Sequence, residues 1–351
     1  MLMSQVRVLK LTLAAVLSAS GTPGNAQAPN CPKKEGGILK FSGAIAMNTG
    51  LQVNPDGAAA SYTPGDHGFT YINNGVNLIL DGKKVSCSKK GNGAACHSAW
   101  VKAETGGFGF GTPEFCSFAI EVAAIDTSKP LQNCEGDRSR FVVGNGKGKP
   151  ALAALTIQNV ENEQITPYIS TTTLRHTVAG SPKYFDSSKF AGIVVPQARS
   201  DLVGAVAWVR FGSRSTFAIV NDTGPAFGEG SIALYQALFY DAPPAVQRIG
   251  PIPTRLRCSE AEQVKAPFLS KPDAGAADAC RAGYVPKGPS DIRAYKGVSG
   301  GIQSIILTSV KPHMTGMLAT VELTPVLLKT LASSAGFDEA RLTSMANCLS
   351  Q

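Results

Sequence analysis

Eight cysteines behind an export-type leader constrain this chain more than any other feature. Residues 1–28 carry Arg7 and Lys10, then the apolar run Leu11-Thr-Leu-Ala-Ala-Val-Leu17, then Ala26-Gln-Ala28, the small-residue pattern a signal peptidase reads. The run is too short to span a bilayer. The segment therefore reads as a signal peptide, and the protein as secreted or periplasmic. No later stretch is apolar enough to cross a membrane. The cysteines, at positions 31, 87, 96, 116, 134, 258, 280 and 348, all lie beyond the leader. An even number in an oxidising compartment points to disulfides. Structural zinc wants Cys-x2-Cys pairs, and the closest spacing here is Cys87 to Cys96. Spacing alone leaves the connectivity open. Proximity favours Cys87–Cys96, Cys116–Cys134 and Cys258–Cys280, which leaves Cys31 for Cys348.

Staples need a core to hold. Hydrophobic residues make up 43% of the 351 and charged residues 17%, which excludes a disordered polyelectrolyte. No Gly-X-Y period or heptad repeat is present, which excludes collagen-like and coiled-coil forms. The formal charge of +8 becomes +6 once Arg7 and Lys10 leave with the leader, which holds no acidic residue. Export excludes nucleic acid as the natural partner. The glycine run at 106–111 lacks the flanking strand and helix of a dinucleotide site, so it reads as a loop. His67, His97, His176 and His313 form no His-x3-His pair and no Gly-x-Ser-x-Gly elbow exists, so neither a metal, a cofactor nor a serine nucleophile is expected.

Along the chain, residues 37–49 read as one strand, and 54–57 and 63–66 as Pro/Gly turns. Residues 76–80 run into Asp81-Gly82, a hairpin signal. Residues 83–118 look like an irregular, stapled excursion. Short β-type runs follow at 151–160, 168–173, 193–195, 205–210 and 216–220. Residues 231–239 have helical spacing, with Pro243-Pro244 beyond. A Cys- and Pro-rich stretch at 242–292 shows no period. Residues 303–309 form a last buried strand, and 324–335 and 337–349 are two helices split at Gly336. The expected architecture is a mainly β, barrel-like domain over 29–310 and a helical C-terminal extension over 311–351. A monomer is expected.

The chemistry concentrates in residues 217–234. A buried strand ends at Asn221-Asp222, a turn follows at Thr223-Gly-Pro225, and Glu229 stands at the start of a helix. Two carboxylates seven residues apart are thus held on adjacent rigid elements. Inverting glycoside hydrolysis needs such a pair: an acid to protonate the leaving oxygen, and a base about 6.5–9.5 Å away to activate water. The plain alternative makes Asp222 a turn residue and Glu229 a helix-start charge.

The same residues resemble glycoside hydrolase family 75, the chitosanase family. The match runs through Asn221-Asp-Thr-Gly-Pro225 and Gly228-Glu-Gly-Ser-Ile-Ala-Leu234. Upstream, Tyr184-Phe-Asp to Val194-Val-Pro196, Tyr168-Ile-Ser-Thr-Thr-Thr-Leu174, Asn54-Pro-Asp-Gly57 with Tyr62-Thr-Pro64, and Ile72-Asn-Asn-Gly75 resemble further family segments in family order. The resemblance implies an inverting enzyme acting on β-1,4-linked glucosamine-containing polysaccharide, without metal or nucleotide. Asp222 and Glu229 take the catalytic positions, with Glu229 assigned as acid and Asp222 as base. Asp56, Thr172 and Asn221 fall in the matched segments as substrate-binding candidates, and Tyr62 and Tyr168 are groove walls for stacking on sugar. Trp100 is a further stacking candidate, whereas Trp208, in a strand, reads as core. The chain departs from the family at Asn54, where an Asp is expected, in a shorter Asp–Glu interval, and in the insertions at 83–140 and 242–292 and the helical tail.

Val220-Asn-Asp-Thr-Gly-Pro225 is also similar to a segment of double-psi β-barrels in the rare-lipoprotein-A group, which act on or bind peptidoglycan. This resemblance implies a six-stranded, double-psi-like barrel and opens a second reading, a non-catalytic or lytic cell-wall glycan binder. The charge of +6 suits an anionic glycan better than cationic chitosan.

Overall fold

The computed structural model describes residues 31–66, 68–89, 91–158, 164–240 and 297–350. The leader at 1–28, the whole stretch at 242–292 with its expected Cys258–Cys280 pair and Pro243-Pro244, and His67 lie outside the described residues.

Val-, Ile- and Ala-rich runs supply the strands β1 (Ile38–Phe41), β2 (Ala44–Val53), β3 (Gly192–Pro196), β4 (Val206–Phe211), β5 (Arg214–Gly224), β6 (Glu229–Gly230) and β7 (Val298–Ile306). Six of them close into a barrel in the order β2–β6–β3–β5–β4–β7, because β7 pairs back onto β2. β1 folds as a hairpin onto the first half of β2, and β6 pairs with its last two residues. β2/β6 and β3/β5 are parallel, and the other neighbours are antiparallel. Val209, Ala218, Val220, Ile302 and Ile306 are all buried in the core of the barrel. Each large aliphatic side chain so buried contributes about 1.5–3 kcal/mol.

A second sheet precedes β3. Its order is Lys83–Ser86, Val76–Leu80, Glu114–Ser117, Asp137–Val143, Asn133–Cys134. The Asp81-Gly82 corner of its hairpin has φ of 50° and 74°, the two positive values that a tight hairpin turn requires. Helix α1 (Gly93–Thr105) covers this sheet and shares a separate core with it, built around Trp100, Phe108 and Phe115. Helix α2 (Ile232–Phe239) starts where the Ser231 hydroxyl accepts the Leu234 N–H at 3.1 Å. Helices α3 (Pro325–Ser334) and α4 (Glu339–Asn347) are capped in the same way by Thr324 and Asp338. Leu234, Leu328 and Leu342 join these helices to the barrel core. The fold is therefore mainly β: a closed six-stranded barrel with disulfides and C-terminal helices.

Among the described residues three disulfides are present, Cys87–Cys96, Cys116–Cys134 and Cys31–Cys348, in the pairing that proximity favours. Among the described residues no helix is long and apolar enough to cross a membrane.

Several local expectations need correction. Residues 37–49 are not one strand: Ser42-Gly43 turns the chain, with Gly43 at φ +76°. The stretch 83–118 is ordered as strand, helix and strand. Of 151–160, the described residues hold only the strand Ile157–Gln158 and an isolated bridge at Leu152. The 168–173 run holds isolated bridges at Tyr168 and Ser170. β5 is longer than expected and carries Asn221 and Asp222 inside the ladder.

The Cys31–Cys348 link spans 317 residues and fastens the chain before β1 to the end of α4. Replacing both cysteines with serine should lower stability by about 2–5 kcal/mol. Urea unfolding of the mature chain measures it, and an unchanged midpoint would show that the ends are held by packing alone.

Candidate active site

The ends of β2 and β5 and the short β6 meet at one corner of the barrel. β3 lies between β5 and β6, and its Val194 is the register partner of Asp222 on one side and of Glu229 on the other. The two acidic residues thus stand in one row of the sheet. With neighbouring strands about 4.8 Å apart, their backbones are roughly 9–10 Å apart. The register shifts between Ile193 and Val194, so that β5 carries Asn221 as an extra residue between the partners of these two. A bulge of this kind re-aims the side chain that follows it. Glu229 reaches back over β3: a Cβ placed on Gly224, two residues past Asp222, would lie 3.7 Å from Glu229 Oε2 and 3.0 Å from Val194 Cγ1. Glu229 also raises the Asp222 pKa through its charge. The two carboxyl groups therefore sense one another.

Their surroundings differ. Asp222 is only 9% exposed. Its Oδ1 accepts the Thr173 N–H at 3.0 Å, the Thr173 O–H at 2.6 Å and the Thr223 N–H at 2.8 Å. Burial pushes its pKa up, these donors pull it down, Glu229 pushes it up again, and the net direction is upward. Glu229 is half-buried, and its Oε2 accepts from Asn54 Nδ2 at 3.2 Å. The Asn54 amide cannot turn round, because its Oδ1 accepts the Asp56 backbone N–H at 2.8 Å.

The turn carrying Asn54 and Asp56 is bolted down. Ser187 donates to the Pro55 carbonyl at 2.7 Å, Ser61 donates to the same oxygen, and the Gly57 N–H donates to Ser170 Oγ at 2.8 Å. Gly57 has φ +85°, and a Cβ there would meet the Phe185 carbonyl at 1.8 Å, so no other residue fits. Asp56 Oδ1 accepts the Tyr62 O–H at 2.8 Å. Burial, then the Asp56 charge, hold the Tyr62 pKa well above the ordinary phenol value, so this hydroxyl stays a donor.

Asp56, Tyr62, Asp222 and Glu229 thus come together, but the remaining expected residues serve otherwise. Tyr62 and Tyr168 are 1% and 4% exposed, so neither ring offers a face to a sugar. Tyr168 donates its O–H to Glu104 at the second core. Trp100, 1% exposed, is core rather than platform; Trp208 is core as expected. Thr172 donates to the Leu174 carbonyl at 2.7 Å and accepts the Phe185 N–H at 3.0 Å, a buried structural clamp. Asn221 is buried, with its Oδ1 beside Gly192 and unpartnered among the described residues. Glu229 lies in β6, paired with β3 and β2, and not at a helix start. Thr173 and the donor role of Asn54 are the parts that sequence reading missed. Asn54 stands in the Asn54-Pro-Asp-Gly57 turn, where an amide is an available donor; Thr173 gives no local signal. Among the described residues no three His, Cys, Asp or Glu side chains converge as metal ligands. No protein-family model and no curated protein matches this chain.

A buried carboxyl with a raised pKa binds its proton more tightly in the folded state than in the unfolded one. Stability is then lost as pH rises from the ordinary carboxylate range through the folded value. Asp222→Asn keeps an oxygen for the three donors and removes the charge. It should be more stable than the parent at pH 7, with the gain shrinking toward pH 4. Thermal unfolding across that range measures this, and a constant difference would contradict it.

Proposed function

We propose that the chain is an exported glycoside hydrolase, cleaving a β-1,4-linked amino-sugar polysaccharide with inversion through Asp222 and Glu229. The observation that carries this reading is the row Asp222–Val194–Glu229, in which two carboxyl groups share a corner but meet opposite surroundings. Inversion needs one group that holds a proton and one that takes a proton from water. Burial favours the protonated form of Asp222, and its Oδ2 receives none of the three donors. Asp222 is therefore the acid: its Oδ2–H passes to the glycosidic oxygen as the bond to the anomeric carbon breaks. Glu229, half-buried and held by the Asn54 amide, takes a proton from the water that attacks the anomeric carbon from the opposite face. These roles run opposite to those assigned from the family resemblance. Asp56, fixed by Tyr62, orients a sugar hydroxyl at the same corner. The three disulfides support the export reading, since such bonds persist in oxidising compartments.

The low exposure of Asp222 favours one alternative. As a purely structural corner it would leave a barrel that binds cell-wall glycan without cutting it. Retention on peptidoglycan with no soluble product would identify that case.

Glu229→Gln should reduce release of reducing ends from partly acetylated chitosan by about 10²–10⁴-fold while the circular dichroism spectrum is kept. Added azide should restore chain cleavage, read as glycosyl azide and not as new reducing ends, because it replaces the activated water at the anomeric carbon. Undiminished release by the variant would remove Glu229 from the mechanism.

A further inference from the structure

Among the described residues, every donor that reaches the Asp222 carboxyl arrives on one oxygen. Oδ1 accepts the Thr173 O–H at 2.6 Å, the Thr223 N–H at 2.8 Å and the Thr173 N–H at 3.0 Å. Two of these donors belong to Thr173, and the chain holds that residue on both sides. Before it, the Thr172 hydroxyl donates to the Leu174 carbonyl at 2.7 Å and accepts the Phe185 N–H at 3.0 Å. After it, the Leu174 N–H donates to the Asn221 carbonyl at 2.8 Å, which ties the segment to the residue preceding Asp222. Thr172 and Leu174 are buried, and Thr173 is half-buried between them. The Thr223 hydroxyl lies 3.2 Å from the Thr173 hydroxyl. Thr173 directs its one hydroxyl proton at Asp222, so in this second contact it accepts and Thr223 donates. A directed chain results, from the half-buried Thr223 hydroxyl through Thr173 to Asp222 Oδ1.

We propose that Thr173 is the positioning residue of the acid: it holds Oδ1 as the accepting oxygen, leaves Oδ2 to carry the transferable proton, and is itself aligned by Thr223. The proposal rests on the hydrolytic reading of Asp222. A general acid must hold its proton before the step and release it during the step. Burial meets the first need and opposes the second, because it disfavours the ionised form. Of the influences that pull the other way, the Thr173 hydroxyl is the largest. As the Oδ2–H bond breaks, its electron pair stays on Asp222 and the proton goes to the glycosidic oxygen. The new charge spreads to Oδ1, where three donors already point, so no group has to turn to meet it. Hydroxyls in series polarise one another, so the Thr223 hydroxyl strengthens the hold of Thr173. After the step Asp222 regains a proton from water, and Glu229 returns to water the one it took.

Carboxyl-carbon NMR of the mature chain with labelled aspartate tests the hold without substrate, and Asp222→Asn identifies the signal. Thr173→Val keeps the size and the backbone N–H but removes the hydroxyl. The donors favour the ionised form, so this loss should move the Asp222 titration midpoint to higher pH, and Thr173→Ser should leave it at the parent position. Thr223→Val removes only the outer link. It should move the midpoint the same way by less, and it provides a second reading if Thr173→Val unfolds. On partly acetylated chitosan, Thr173→Val should lower kcat about tenfold with KM kept within about twofold, and should move the basic limb of the pH–rate profile to higher pH. Thr173→Ser should show neither change. A structural role alone would not move the midpoint. A midpoint unmoved by both valine substitutions, or one that serine moves as far as valine, would overturn the proposal. The two readings fail separately. A shifted midpoint in a chain that releases no reducing ends would end the hydrolase reading and keep the hold of Thr173 on Asp222. Release at the parent rate by Thr173→Val, with an unmoved midpoint, would do the reverse.

Discussion

The β2/β7 ladder closes the sheet on itself, and the corner depends on that closure for its geometry. β6 is two residues long, too short to hold a position alone. It is fixed because β3 pairs with one of its edges while the end of β2 pairs with the other. β2 in turn is held along most of its length by β7, from Ile45 to Leu51. Were the barrel to open between β2 and β7, β6 would keep β3 but lose a rigid partner in β2. Glu229 would then no longer stand opposite Val194 in a fixed register. The parallel β3/β5 pair, with its one-residue shift, aims Asp222 from the other side. Closing the barrel and building the corner are thus one structural act, and the aliphatic core drives both.

The second sheet buttresses the same corner. Tyr62 belongs to its core, yet its hydroxyl leaves that core to hold Asp56. Tyr168 and Glu104 tie α1 to the chain between, with Glu104 also accepting the Gly65 N–H at 3.0 Å. The second core therefore reaches the candidate site through the Tyr62 phenol, and the Tyr168 phenol fastens α1 to that core. Their burial raises both pKa values above the ordinary phenol range, which keeps both hydroxyls as neutral donors to their carboxylate partners. This is also why an aromatic pair that reads as a stacking platform does not act as one. A phenol ring can serve as wall or as anchor, and only the partner of its hydroxyl decides.

What the sequence makes legible follows from how local each feature is. The barrel class, the helices at 231–239 and 324–335 and the near disulfides depend on periodicity and short spacing. The length of β5 does not. Asn221-Asp-Thr-Gly favours a turn locally, but pairing with β3 and the core beneath override that preference. Glu229 reads as a helix start because Ser231 and the residues after it are helical; its strand character comes only from partners far away in sequence, at 52 and 194. α1 was hidden by its Gly- and Ala-rich start. Its buried Cys96, Trp100 and Ala103 nevertheless keep helical spacing, a signal present but masked by glycine and lysine around it.

Three carboxyl groups, those of Asp56, Asp222 and Glu229, share this corner, and the fold tolerates them by giving each a different donor. Thr173 and Thr223 serve Asp222, Tyr62 serves Asp56, and Asn54 serves Glu229. Position 54 carries an amide and not a carboxylate, and the hydrogen bonds explain what the amide does there. An ionised carboxylate at position 54 would still accept the Asp56 N–H, but it has no proton for Glu229 and would set one more negative charge beside it. The amide keeps the turn and turns a repulsion into a hydrogen bond. The amide at 54 thus supplies Glu229 with a side-chain donor. Three acids, each met by a neutral donor, fit one corner in which burial favours the protonated form of Asp222.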